Sequence, residues 1–246
     1  MAAAMARGWA GAEDGPEAML FCDLEADRAA SLAREAGGDT RAALADLVAD
    51  SDLIVLAVKP AALDAVAGEL GGTAPPILSM LAATPVARLA EAFPGVPLVR
   101  VMPNQPVEVR RGVLCYVPPD DAVPADLASA IVRLLGVLGV TVPVEERLID
   151  AAMAVMSCSP AYVGRFAETL AAAGVEEGLD PALAADLVRE AIAGSAELLR
   201  VHDPGAVRRA VAPPGGTTEA GLVALEQGGF DGAIAAAVEA SLERFR

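Results

Sequence analysis

The sequence predicts a doubly wound α/β sheet followed by an all-helical domain. Apolar runs of strand length alternate with helical segments from residue 18 to residue 144. Beyond that point the strand signal stops while helical patterning continues to the last residues. The 54% hydrophobic content comes mainly from Ala, Val and Leu, with one Trp, two Tyr and five Phe, a composition suited to helices and buried parallel strands rather than to a β-sandwich. Strands alternating with helices imply parallel pairing through right-handed crossovers. At 246 residues the chain is long enough for two domains and a substantial core.

Residues 1–11 read as a helix with Gly8 and Gly11 near its end and no strand before it. Ala18–Cys22 is a short apolar run ending at Asp23, and a helix from Glu25 to Ala36 follows, closed by Gly37-Gly38. Asp52–Val58 is the next run. Pro60 stands where the first turn of a helix tolerates proline, and that helix is expected to stop at Gly71-Gly72. Ile77–Leu81, a helix over 85–93 and Leu98–Met102 repeat the cycle. Gly112–Val117 and Gly139–Val144 flank a helix over 124–138 and complete a first domain, residues 1–144. The second domain, 145–246, reads as helices at 145–156, 160–177, 181–200, 205–211, 217–227 and 231–245. Ile149–Met156 and Ala233–Val238 are apolar around most of the helix, so burial on more than one side is expected, as a shared helical dimer interface would supply.

Charge narrows the function classes. Eighteen Lys plus Arg against 34 Asp plus Glu give a net charge of −16, a field that repels nucleic acid and anionic membrane surfaces. The longest uncharged run, between Glu69 and Arg88, is broken by Pro75, Pro76 and Pro85, so it does not read as a membrane helix. Three widely spaced cysteines (Cys22, Cys115, Cys158) and a single histidine (His202) argue against a zinc cluster. No leader pattern opens the chain, and a cytoplasmic protein with reduced thiols is expected.

Open parallel sheets bind ligands at the carboxyl ends of their strands. Two such ends carry distinctive residues: Ala57-Val58-Lys59-Pro60 and Met102-Pro103-Asn104-Gln105-Pro106. Lys59 reads equally as a solvated charge at a helix start, and Asn104 as a turn former. Pro213-Pro214-Gly215-Gly216-Thr217-Thr218-Glu219 leads a glycine pair into a helix. Glycines permit close approach of a ligand, and helix-start amides favour an anion such as a carboxylate. A plain helix cap, with Glu219 as a first-turn acid, accounts for the same residues. His202 fits a helix C-terminus, and the cysteines fit buried small hydrophobes.

Taken in order, Val-Lys-Pro60, Met-Pro-Asn-x-Pro106, Ser-Pro-Ala-Tyr162 and Pro-Gly-Gly-Thr-Thr-Glu-Ala-Gly-Leu222 resemble pyrroline-5-carboxylate reductase, as does the tail Leu-Glu-Gln-Gly-Gly-Phe230. The resemblance implies a Rossmann-like domain for NADPH or NADH and a helical dimerisation domain, with a homodimer or a larger ring of dimers. It implies that Ala57, Val58, Lys59 and Pro60 line the cofactor site and that Asn104 lies near the nicotinamide. The backbone of Gly215, Gly216 and Thr217 would hold the substrate carboxylate. Thr218 would hydrogen-bond the ring nitrogen while hydride passes to the imine carbon, giving L-proline. The protein mainly positions two rings face to face. Asp23, at the strand tip that meets the adenosine ribose, favours a free 2′-hydroxyl, whereas Arg28 would offset it, so both cofactors stay open.

The departures shape further expectations. The family opens on a strand and a Gly-rich turn ending Gly-Asn-Met-Ala, and this chain begins at what corresponds to that Met. The first strand and the phosphate-binding glycines are expected in roughly ten upstream residues, and without them strands ending near Cys22 and Val58 would have unpaired inner edges. Ser157 and Ser159 replace two family glycines, Pro213 a serine, Gln105 a threonine, and Glu190-Ala191 a Gln-Thr pair. A reductase of another cyclic imine and a non-catalytic dimeric paralogue are the competing readings.

Overall fold

The computed structural model describes residues 1–70, 74–119 and 122–244. It divides into two compact units, Met1–Cys158 and Ser159–Glu243.

In the first unit, helix α1 (Ala2–Trp9) precedes β1 (Leu20–Phe21), α2 (Ala26–Ala36), β2 (Asp39–Thr40) and α3 (Leu44–Ala49). There follow β3 (Ile54–Leu56), α4 (Leu63–Leu70), β4 (Ile77–Ser79), α5 (Val86–Ala92) and β5 (Leu98–Pro103). The unit closes with β6 (Gly112–Tyr116), α6 (Ala125–Gly136), β7 (Gly139–Pro143) and α7 (Ile149–Met156). The expected helix stop at Gly71-Gly72 lies outside the described residues. Strand β2 and helix α3, a stretch with little apolar patterning, have no counterpart in the sequence reading.

The sheet is in two pieces. β1 and β2 pair in parallel as one ribbon, and β3-β4-β5-β6-β7 form the other in that spatial order. Among the described residues β1 and β3 each have a strand on one side only, the open inner edges anticipated near Cys22 and Val58. Pairing is parallel from β3 to β5 and between β6 and β7, but β5 and β6 are antiparallel. The parallel pairing expected from strand–helix alternation therefore does not extend across β5 and β6. Residues 104–111 hold only a 3-10 segment, Gln105–Val109, too short for a crossover, so the chain turns back.

Alternation along the strands loads both faces. Leu78, Val99, Val101 and Leu114 pack with Met5 and Trp9 of α1 and Ile131 and Leu135 of α6. Ile77 and Leu56 face α4 and α5 through Leu63, Leu89 and Phe93. Fully buried side chains such as Leu78 and Leu89 each contribute about 2 kcal/mol by leaving water. Met102 and Cys115 pack against Ile149 and Met153 of α7, which is why the first compact unit runs past the last strand to Cys158. Gly8 lets α1 sit directly on the chain at Val107: a Cβ there would collide with the Val107 carbonyl and Leu138.

The second unit contains α8 (Ser159–Glu176), α9 (Pro181–Val201), α10 (Pro204–Val211), α11 (Thr217–Gln227) and α12 (Phe230–Glu243). Asp180 caps α9, accepting from the Ala182 and Leu183 amides at 2.9 and 3.2 Å, with Pro181 in the first turn. Asp203 and Pro204 start α10 in the same way. All five helices expose apolar side chains, among them Phe166, Leu170, Leu187, Leu198, Val211, Val223 and Ile234. Leu170, Gly174, Leu179, Ala184, Leu187 and Val188 line an apolar groove of about 340 Å³ between α8 and α9. No helix among the described residues is long and apolar enough to cross a membrane.

Candidate functional site

Parallel pairing brings the carboxyl ends of β3, β4 and β5 to one side of the five-stranded sheet. Leu56 is buried, and the next four residues, Ala57 to Pro60, are all exposed. Here a core strand opens abruptly into solvent with apolar surface (Val58) and a cation (Lys59). The Lys59 carbonyl accepts the Ala62 amide at 2.9 Å, opening the 3-10 turn over Pro60–Ala62. The Met80 amide donates to the Leu56 carbonyl at 3.1 Å and ties the β4 end to the β3 end. The β4 loop continues through Ala83, whose φ of 50° is left-handed and costs about 1 kcal/mol for a residue with a Cβ. Thr84 steadies the loop by donating its hydroxyl to the Ala82 carbonyl at 3.0 Å. Strain of this kind is concentrated at ligand-facing loops.

Asn104, directly after β5, is buried. Its side-chain amide donates to the Met156 carbonyl at 3.1 Å, and its side-chain oxygen accepts from the Val113 amide at 2.9 Å. The Ser157 hydroxyl donates to the Pro103 carbonyl at 3.2 Å. Asn104 is thus a clamp joining β5, β6 and the end of α7, with at most one amide hydrogen left to face a ligand. Gln105 binds Glu108 at 2.8 Å.

At the tip of β1, the Asp23 carboxylate accepts the Glu25 amide at 2.9 Å and lies 3.7 Å from Arg28. All three cysteines are free thiols. Burial pushes the Cys115 thiol pKa up, the opposite of what a nucleophile needs. His202 sits exposed at the C-cap of α9.

In the second unit, Gly216 caps α11 and Gly215 has a φ of 76°, a conformation glycine adopts without strain. The Gly215 amide donates to the Glu219 carboxylate at 2.6 Å, and the Gly216 amide donates to the Pro213 carbonyl at 3.0 Å. In the structure both glycine amides of the expected carboxylate site, Gly215, Gly216 and Thr217, are thus engaged within the chain. The donors open at this helix start are the first-turn amides of Thr217 and Thr218 and their exposed hydroxyls. Tyr162 is held by α12, its hydroxyl 2.9 Å from the Ser241 hydroxyl.

One cluster escaped the sequence reading. Arg100, in the middle of β5, is 3% exposed and lies 3.2 Å from Glu146 and 3.6 Å from Asp150. Glu146, in the 3-10 turn Glu146–Leu148 that leads into α7, also accepts the Val86 amide at 2.7 Å. These ion pairs fasten α7 beneath the strand that presents Asn104. A lone arginine in the apolar run Leu98–Met102 was the available signal.

Residues 146–246 match the family described as pyrroline-5-carboxylate reductase dimerisation, and residues 1–82 match NADP oxidoreductase coenzyme F420-dependent. A pyrroline-5-carboxylate reductase of Synechocystis sp. is 38% identical over 79% of this chain and 74% of its own length. The 1-pyrroline-5-carboxylate reductase of Streptococcus pyogenes superposes with a TM-score of 0.89 at 28% identity, covering 100% of this chain and 94% of that one. The Plasmodium falciparum pyrroline carboxylate reductase, solved with NADP bound, superposes with a TM-score of 0.85 at 27% identity over 98% of this chain and 92% of that one.

Proposed function

Because the chain belongs to the pyrroline-5-carboxylate reductase family, we propose that it reduces 1-pyrroline-5-carboxylate to L-proline with NADH or NADPH. The likeness to reductases of that name carries the reading, and it extends over both compact units. The comparisons do not favour the non-catalytic paralogue or another imine.

The residues present suit a dinucleotide. An exposed strand end, a lysine beside it and an acid at the β1 tip offer apolar, cationic and acceptor groups. When bound, the reduced nicotinamide supplies the hydride for the imine carbon. Ala57, Val58, Lys59 and Pro60 hold the cofactor, Asp23 meets the ribose, and Asn104 acts as a positioning residue through its clamp. The Thr217 and Thr218 amides hold the substrate carboxylate, with Gly215 and Gly216 shaping the turn that presents them. The Thr218 hydroxyl donates to the ring nitrogen as charge develops there. A homodimer accompanies the dimerisation family, the α8–α9 groove being one surface it covers. A larger ring of dimers and a cytoplasmic location belong to the same proposal, the latter supported by three free thiols.

Oxidation of NADH or NADPH with pyrroline-5-carboxylate, with L-proline identified as product, tests the reading. Folded protein that forms no proline would overturn it. Thr218→Ala is expected to lower kcat/KM by roughly tenfold or more with the dimer retained. Unchanged turnover would remove Thr218 from the mechanism.

A further inference from the structure

We propose that this chain selects NADH over NADPH and that Asp23 is the residue that sets the choice, an inference that rests on the reductase reading above. In open α/β sheets an acid at the tip of the strand after the first helix hydrogen-bonds a free ribose 2′-hydroxyl, while an available arginine accommodates a 2′-phosphate. Here that strand is β1, which follows α1, and its tip reads Asp23-Leu24-Glu25.

The geometry settles which of the two opposed groups is available. One oxygen of Asp23 is held by the Glu25 amide at 2.9 Å, which fixes the carboxylate in a tight turn. Its other oxygen lies 3.7 Å from Arg28, a distance beyond a good hydrogen bond, and keeps its acceptor capacity. Arg28 is bracketed by acids: it donates to Glu25 at 2.9 Å and faces Asp23 on its other side. Arg41, at the tip of the neighbouring β2, is bound to Asp50 at 2.7 Å. Both cations on these strand tips are therefore already neutralised, and Asp27 adds a further carboxylate in the first turn of α2. A 2′-phosphate would meet carboxylates in place of a free guanidinium. Leu24 is fully exposed between the two acids and offers apolar surface to an adenine ring. The Cys22 thiol responds to the same surroundings: its pKa is raised by burial and then by the charges of Asp23 and Glu69.

The test is binding, by calorimetric titration of NADH and of NADPH into the full chain. The wild type is expected to bind NADH at least roughly tenfold more tightly, the range of one hydrogen bond to a charged acceptor. Asp23→Ser keeps a side-chain acceptor for the Glu25 amide and removes one of the two acids beside Arg28, which stays paired with Glu25, so it is expected to weaken NADH and to narrow or abolish the preference. A wild type that prefers NADPH while forming L-proline, or a ratio that Asp23→Ser leaves unchanged with an unaltered melting temperature, would overturn the inference alone. A folded chain that binds neither dinucleotide would overturn it together with the reductase reading.

Discussion

Replacing Glu146 and Asp150 together with alanine is expected to destabilise the first unit by about 3 kcal/mol or more, roughly 6–12 °C in Tm. Arg100 is almost wholly buried, and the two acids are its counter-charges at 3.2 and 3.6 Å. Without them a guanidinium stays out of water with nothing to balance it, and its Nε already lacks a hydrogen-bond partner. Removing the other side of the cluster is milder. In Arg100→Met both acids keep more than one-third of their side chains in water, although Asp150 Oδ1 is buried, and an unbranched apolar chain takes the place of the guanidinium, at an expected cost of about 1 kcal/mol. Urea denaturation of the three proteins checks this asymmetry; equal losses would show that the cluster is held by packing rather than charge. Because α7 carries the Met156 carbonyl that receives Asn104, the double variant is also expected to raise KM for the dinucleotide.

Leu187→Asp is expected to weaken self-association by roughly a thousandfold. Leu187 is 53% exposed in the single chain and borders the apolar groove between α8 and α9. Covering such a side chain with a second copy gains about 2 kcal/mol. A two-fold interface counts every substitution twice, so about 4 kcal/mol is lost per dimer, before any penalty for desolvating the carboxylates. Sedimentation equilibrium reads the change directly. An unaltered dimer would place the interface on the faces of α11 and α12 instead.

Much of this molecule was legible as sequence because its elements are strongly patterned. The apolar run Asp52–Val58 holds the core strand β3, Ile54–Leu56, and Pro181 and Pro204 mark helix starts that Asp180 and Asp203 cap. Strand β2 was hidden because two exposed polar residues, Asp39 and Thr40, carry no apolar signal. The antiparallel return of β6 was hidden because pairing direction depends on the connection rather than on the strand. Residue types singled out Asn104 and the Gly215-Gly216 pair as candidates but could not show which polar atoms were already engaged. The Glu219 carboxylate on the Gly215 amide and the Asn104 clamp are products of three-dimensional closure. Ala83 gave no warning at all, since an alanine does not announce a left-handed backbone.

The short return between β5 and β6 also bears on the order in which the sheet assembles. Their ladder closes over residues 104–111, whereas β3–β4, β4–β5 and β6–β7 must close over 57–76, 80–97 and 117–138. Each doubling of loop length adds about 0.6 kcal/mol of closure entropy, and the parallel neighbours also need a packed crossover helix before their pairing is rewarded. Leu98–Tyr116 is therefore the expected seed of the sheet, with the parallel strands added outward from it. Pulse-labelling hydrogen exchange during refolding should protect the Met102 and Cys115 amides, which face each other across β5 and β6, before those of Ile54 or Val140, and simultaneous protection of all four would rule this order out.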